Sequence, residues 1–264
     1  MIRFKPKEIS RYSRQIVLEG WGLKTQRKLK GASVAIVGAG ALGTISSTLL
    51  AKAGVGTLKI IDFDIVEDVN LSAQLMHWDE DIGQKKVISL KEKLQRMNPH
   101  ITIEYVDKKL DDNNAKELLQ GVDLIIDATD NMIARRIINE ACVKLGIPFI
   151  HAGVRGFYGQ VMVVIPGITP CLACLFREMD QGPRGCPVLI PMVSILASMQ
   201  ALEAIKILAE LGKPALGYLI FVDGLSMDIE KIEIKRNPDC CVCKDARPMK
   251  DFKFRTIQGS ACPI

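Results

Sequence analysis

Residues 32–43 read ASVAIVGAGALG: an apolar run that stops on three glycines, Gly38, Gly40 and Gly43, and then opens into a helix-like pattern. A short apolar run ending in Gly-x-Gly is a buried strand entering a tight turn. The glycines there permit close backbone approach and leave helix N-terminal N–H groups free to hold a phosphate. The motif is weak alone and gains weight from its surroundings. The next apolar run, TLKIID (57–62), ends on Asp62, 22 residues beyond Gly40, where a carboxylate accepts hydrogen bonds from ribose hydroxyls. The plainer role for Asp62 is a strand-end cap.

Outward from this unit, apolar runs alternate with helical patterns. Helices are expected over about 41–53, 84–97, 112–120 and 132–145, and strands over 101–106, 122–127 and 148–152. Alternation of this kind predicts βαβ crossovers and a mostly parallel sheet covered on both faces. After Gly159 the strands GQVMVVIP, GYLIFVDG and DIEKIEI are not separated by regular helices, which predicts an antiparallel extension of the same sheet. The fold class is therefore α/β, Rossmann-like, with an antiparallel C-terminal extension. Residues 1–30 read as an N-terminal helical arm, and 245–264 as a loose tail. A helix over about 192–211 is apolar almost all round in its first half and needs burial on several sides, by the core and by a second subunit.

At 264 residues, with 48% apolar and 25% charged residues, the chain suits one globular domain and excludes extensive disorder. The net charge of +5 comes from Lys and Arg spread along the chain with few aromatics, the pattern of a solvated surface rather than a nucleic-acid groove. The start, MIRFKPKEIS, lacks the apolar core of a secretory signal, so a cytoplasmic location is expected. The uncharged stretch 185–202 is interrupted by prolines, serines and Gln200 and reads as a buried helix, not a membrane span.

Two further patterns carry chemistry. DATDN (127–131) ends the fourth strand, at the edge where doubly wound sheets bind ligands, and offers Asp127 and Asp130 with Asn131 beside them. A carboxylate there can hold Mg²⁺ on a triphosphate, although Asp130 could equally cap the following helix. GQKKV (83–87) opens a helix from which Lys85 or Lys86 could face the phosphates. The second pattern is metallic. With eight cysteines in a reducing compartment, the C-x-x-C pairs Cys171/Cys174 and Cys240/Cys243 read as a four-thiolate structural Zn²⁺ site. Cys142 reads as core, and Cys241 as a spare. Cys186, after Gly-Pro-Arg-Gly, is either a presented nucleophilic thiol or an ordinary one.

In order along the chain, RYSRQ (11–15), GAGALG (38–43), IIDFD (60–64), NLSAQ (70–74), GQKKV (83–87), ATDN (128–131), CLAC (171–174), QALEAIKIL (200–208) and NPDCCVC (237–243) resemble the ThiF/MoeB/HesA family, relatives of ubiquitin-activating enzymes. The resemblance covers about residues 8–244, with 31–244 as the adenylation domain. It implies a homodimeric, ATP- and Mg²⁺-dependent adenylyltransferase in which a substrate carboxylate attacks the α-phosphate. The substrate it implies is the C-terminal glycine of a ubiquitin-like sulfur-carrier protein. The alternatives are a small-molecule carboxylate in cofactor biosynthesis, as in HcgE-type members acting on a guanylylpyridinol precursor, or a nucleotide-binding scaffold that has lost catalysis. By position, Gly38, Gly40 and Gly43 would line the phosphates and Asp62 would hold the ribose. Asn70, Gln74 and Lys86 would contact the phosphates, Asp130 would bind Mg²⁺, and Arg14 would reach into the partner subunit's site.

Two departures from the family pattern stand out. NLSAQ carries Ala73 where the family usually has a phosphate-binding arginine, and Lys85 and Arg135 are the candidate replacements. Only four residues separate Cys186 from Pro191, so the crossover segment that would guide a carrier's tail is short, which weakens a thiol-transfer role for Cys186.

Overall fold

The computed structural model describes residues 3–176, 187–248 and 254. Its centre is an eight-stranded sheet. Strands β1 (Ser33–Val37), β2 (Thr57–Asp62), β3 (Thr102–Asp107), β4 (Leu124–Asp127) and β5 (Phe149–Arg155) run parallel. Strands β6 (Tyr158–Val164), β7 (Tyr218–Asp223) and β8 (Asp228–Glu233) continue antiparallel, in the order β3-β2-β1-β4-β5-β6-β7-β8. All four residues of β4 and the last four of β1 are buried, as strands covered on both faces require.

The helices are α1 (Pro6–Arg11), α2 (Ser13–Ile16), α3 (Gly22–Gly31), α4 (Ala41–Ala53), α5 (Lys86–Met97), α6 (Ala115–Leu119), α7 (Met132–Leu145), α8 (Leu172–Leu175) and α9 (Ile190–Ala209). They form two layers. On one face Leu29, Leu42, Ile45, Leu50, Leu90, Leu94 and Leu196 pack against Val34, Ile36, Leu58, Ile60 and Ile126. On the other, Leu118, Ile137, Ile138 and Leu172 cover Ala35, Val37, Ile125 and Phe149. Alternation along each strand thus feeds two cores, the two halves of an α/β/α sandwich.

The helices over 41–53 and 132–145 fall where the sequence pattern puts them. The N-terminal arm is helical but in three short pieces: Tyr12 separates α1 from α2, and a turn with Gly20 at positive φ separates α2 from α3. The apolar helix starts at Ile190, with Pro191 in its first turn, and ends at Ala209. Among the described residues α9 is the one helix long and apolar enough to cross a membrane, and more than half of it is buried inside the fold. Of its two buried polar residues, Gln200 and Glu203, Gln200 is fully satisfied. Its amide donates to the carbonyls of Asp127 (2.7 Å) and Ile150 (2.8 Å) and accepts from Ser46 Oγ (2.9 Å), tying α9 to the ends of β4 and β5.

Candidate active site

The chain leaves β1 toward β2 and β3 on one side and returns to β4 on the other, so strand order reverses between β1 and β4. A crevice opens at the carboxyl ends of those strands, the place where open α/β sheets bind ligands. The glycine turn fills it. Gly38 has φ +103°, and a Cβ on it would lie 2.5 Å from the Ala128 carbonyl oxygen; one on Gly43 would lie 1.8 Å from the Gly38 carbonyl oxygen. These two glycines are required by packing within the turn. Gly40 is different, because the nearest atom to its Cβ position is Gln74 Nε2 at 3.7 Å, leaving an open approach to the N-terminus of α4.

Asp62, at the end of β2, is half-buried and accepts from the Ala39 N–H (2.6 Å) and the Asp64 N–H (2.8 Å). It therefore shapes the turn, and carboxylate lone pairs remain for a ribose. Asn70 Oδ1 accepts from the Glu67 N–H at 3.1 Å and closes a 3₁₀ turn. Gln74 is buried, and its Oε1 has no partner, an orphan polar atom beside Gly40. Ala73 lies next to it and brings no charge.

The two lysines of GQKKV part company. Lys86 is buried at the mouth of the turn and pairs with Asp64 Oδ2 at 3.2 Å. Lys85 turns the other way, to the Phe63 carbonyl (3.0 Å) and Asp107 Oδ1 (3.1 Å) at the end of β3. As a replacement for the missing arginine, Lys85 is thus already committed. Arg135 has no carboxylate partner among the described residues. Its Nη2 donates to the Thr129 carbonyl (2.9 Å), its Nε is buried without a partner, and the Cβ position of Gly153 lies 3.6 Å from Nη2.

DATDN divides into two roles. Asp127 is fully buried: it accepts from His151 Nδ1 (2.8 Å), from the Thr129 N–H (3.1 Å) and from Thr129 Oγ1 (2.7 Å). Burial works to raise its carboxyl, but the hydrogen bond from His151, then Arg135 and Thr129, hold it below the ordinary 3.8. For His151, burial drives the imidazole below 6.5 against the pull of Asp127. We read the pair as carboxylate and neutral imidazole, with Nδ1–H donating and Nε2 facing Gln160 Nε2 at 3.3 Å. Asp127 is a structural anchor, its two oxygens taken by His151 and Thr129. The cap of α7 is Asn131, whose Oδ1 accepts the Ala134 N–H at 2.9 Å. Asp130 is left exposed, with Asn131 Nδ2 at 3.3 Å its one hydrogen-bond partner among the described residues.

Arg14 is exposed and unpaired among the described residues. Its neighbours are anchored at the far end of α4. Gln15 Nε2 donates to the Ala53 carbonyl (2.7 Å), and the buried Tyr12 hydroxyl accepts from Asn98, which also holds the Ala51 carbonyl. The 13 residues of α4 put about 18 Å between that anchor and the phosphate turn, more than an arginine side chain spans. Arg14 is therefore remote from the crevice of its own chain.

Cys171, Cys174, Cys240 and Cys243 converge, with all four sulfur atoms within 4.8 Å of one another; Cys171 to Cys240 is 3.7 Å and Cys174 to Cys243 is 3.5 Å. Tetrahedral Zn²⁺ with bonds near 2.3 Å needs sulfur atoms about 3.8 Å apart, so the donor set fits a closed four-thiolate site. Supporting groups are in place: Asn139 Nδ2 contacts Cys171 Sγ while its Oδ1 accepts the Leu172 N–H, and Arg236 holds the carbonyls of Gly167, Cys243 and Lys244. Cys142 is core and Cys241 is exposed. Cys186 lies outside the described residues.

Sequence reasoning missed His151, His77 and Gln200, each of which holds a backbone or carboxylate group of the crevice. Only the rarity of histidine, three in the chain, was a signal for the first two.

With this geometry established, comparison with known proteins is informative. The model of the ThiF family matches residues 12–242. The molybdopterin-synthase adenylyltransferase of Salmonella typhimurium is 39% identical over 92% of this chain and 99% of its own, and the sulfur carrier protein adenylyltransferase of Thermus thermophilus is 36% identical over 95% and 96%. Among solved structures, Escherichia coli MccB with ATP superposes with a TM-score of 0.78 at 25% identity, covering 88% of this chain and 74% of that one. By the match over residues 12–242 and these identities, the chain belongs to the ThiF family.

Proposed function

We propose that the protein is an ATP-dependent adenylyltransferase: a substrate carboxylate oxygen attacks the α-phosphorus of ATP, forming an acyl adenylate and releasing pyrophosphate. The observation that carries this reading is the combination, at one switch-point crevice, of an open glycine turn, the buried ammonium of Lys86 and an exposed, uncapped Asp130. Hydride transfer needs neither the cation nor the free carboxylate. The family relatives whose names carry adenylyltransferase activity support the same reaction.

In this reading, Gly40 and the first turn of α4 receive the phosphates, Asp62 takes the ribose, and Lys86 leaves Asp64 for a phosphate oxygen. Asn70 shapes the acidic loop, and the amide of Gln74 gains in the nucleotide the partner it lacks. Asp130 would hold Mg²⁺, which neutralises phosphate charge as pyrophosphate departs. Catalysis is then positioning and electrostatics, without a covalent enzyme intermediate. Because Arg14 stands about 18 Å from its own turn, it serves the site of a second copy, and the working unit is a homodimer.

The substrate we favour is the C-terminus of a ubiquitin-like sulfur carrier. Beyond Gln160, on the same sheet face as His151, register places Tyr158, Phe221 and Ile232 together, with Tyr158 and Phe221 stacked at 6.2 Å and Tyr158 and Ile232 exposed. This sheet face beside the crevice, apolar at Tyr158, Phe221 and Ile232 and acidic at Asp223, Asp228 and Glu230, suits a folded protein whose tail enters the crevice. Ala73 is the observation that favours the alternative, a small-molecule carboxylate. Pyrophosphate exchange into ATP with a Gly-Gly-ending carrier, run against a panel of small carboxylates, decides between them. Failure with every carboxylate, in protein that binds ATP, would leave a nucleotide-binding scaffold instead.

A further inference from the structure

Ala39, between two of the glycines, is held at both ends of its backbone. Its N–H donates to Asp62 Oδ2 at 2.6 Å, and its carbonyl faces His77 Nε2 at 2.9 Å. We infer that His77 is a positioning residue for the phosphate-binding turn. Its Nε2–H tautomer pins the Ala39 carbonyl and, with Asp62, fixes the peptide planes from which Gly40 and the first turn of α4 present unpaired N–H groups.

The neighbours dictate that tautomer. A carbonyl only accepts, so Nε2 carries a proton. Burial drives the imidazole below its ordinary 6.5, outweighing the Ala39 carbonyl and Asp81, and Lys93 and Lys86 add to the depression; the ring is neutral and Nδ1 is an acceptor. Ser89 Oγ meets Nδ1 at 2.9 Å and is the donor that this tautomer requires, with the Asp81 carboxylate as a second acceptor for the same hydroxyl. Ser89 in turn accepts from Lys93 Nζ at 2.9 Å, and Lys93 is fixed by Asp81, whose carboxylate also accepts the Trp78 N–H at 2.7 Å. Donation therefore runs one way, from Lys93 to Ser89 to His77 to Ala39. The side chains of this chain are at most 9% exposed, so water cannot substitute for a lost member. A histidine that only filled space would not need partners ordered in this direction.

The inference rests on the nucleotide-binding reading of the turn, and two measurements separate them. In ¹⁵N spectra of ligand-free protein, His77 is expected as the neutral Nε2–H tautomer at pH 7, with Ser89→Ala weakening that preference. A cationic ring or an Nδ1–H tautomer overturns the inference, whatever the turn binds. In MgATP titrations, His77→Phe keeps the bulk but removes the donor, and should weaken binding on the order of ten-fold. His77→Gln places an amide N–H near the Nε2 position and should recover most of that loss. Equal loss in both variants, or no loss in His77→Phe, overturns the positioning role. If folded wild-type protein binds no MgATP, the nucleotide reading fails with the positioning role, and the tautomer result still stands as a separate fact.

Discussion

Lys86 Nζ and Asp64 Oδ2 lie 3.2 Å apart, the ammonium 7% exposed and the carboxylate 50%. That contrast explains why a carboxylate stands beside the proposed phosphate site. A buried ammonium needs a counter-charge before the nucleotide arrives, and a carboxylate half in solvent can release it cheaply. Asp64→Asn is therefore expected to lower the melting temperature of the ligand-free protein by a few degrees, on the order of 1 kcal/mol after allowing for solvent screening. The same variant should show a larger stabilisation by MgATP than wild type, because phosphate no longer displaces a rival. Thermal melts with and without MgATP check both, and an unchanged MgATP shift would sink the exchange.

The second expectation concerns the charge missing at Ala73. Lys85 is occupied by Asp107, whereas Arg135 has no carboxylate partner among the described residues and sits beside Thr129 and Gly153 at the crevice. Arg135→Ala should lower the maximal pyrophosphate-exchange rate about 100-fold, near 3 kcal/mol, while Lys85→Ala should change it little. Arg135 also braces the Thr129 carbonyl, so the split between rate and apparent ATP affinity matters. A loss confined to affinity would assign it to loop support instead of charge stabilisation.

Some of this was legible in the sequence because its determinants are local. Gly38, Gly43 and the strand before them specify a turn through contacts a few residues apart, apart from the close approach to Ala128. C-x-x-C spacing brings two thiols together on one knuckle whatever the rest of the fold does. What was not legible depends on partners far along the chain. Asp127 looks as available as Asp130, yet register pairs Asp127 with His151 on the next strand and removes it from ligand chemistry. Lys85 and Lys86 are neighbours in sequence, and the helix start at Lys86 turns one toward Asp64 and the other toward Asp107. The cap of α7 is Asn131 and not Asp130, because the boundary of α7 falls one residue after Asn131.

Stability should fall on mild acidification. His77 and His151 are both buried with pKa values below the ordinary 6.5, chiefly through loss of hydration. Below pH 6.5 the unfolded chain takes up protons at these positions and the folded chain does not, so the unfolded state binds more protons and stability drops as pH falls. Stability is full above pH 6.5 and is lost on the way down to the folded pKa values, with a slope of up to about 1.4 kcal/mol per pH unit for each histidine. Denaturant melts at pH 7.5, 6.5 and 5.5 measure it. The slope should flatten in His151→Gln, and a pH-independent midpoint would contradict neutral buried imidazoles.

The cysteine cluster predicts one Zn²⁺ per chain by elemental analysis. Burial raises the Cys171 thiol, and pushes Cys174 up to about 11, so without a cation these sulfurs resist ionisation. Cys171→Ser or Cys243→Ser should each lose the metal and melt well below wild type, since the site joins α8 to the residues after β8. Cys241→Ser, on the exposed spare, should do neither. Metal content unchanged in Cys171→Ser would place the ion elsewhere.

The remoteness of Arg14 gives the sharpest test of the dimer. In a cis arrangement, Arg14→Ala and Asp130→Ala each damage their own subunit's site, and mixing them restores nothing. In trans, a site combines Asp130 of one subunit with Arg14 of the other. A heterodimer of the two variants then holds one doubly damaged site and one intact site. Each single variant is expected to be nearly inactive, and co-expression in equal amounts should return about one quarter of wild-type exchange, because half the dimers are mixed and each has one working site of two. Purification through two different affinity tags isolates the mixed dimer, which should reach about half of wild-type activity. No recovery in that doubly tagged dimer would mean that Arg14 does not act across the interface.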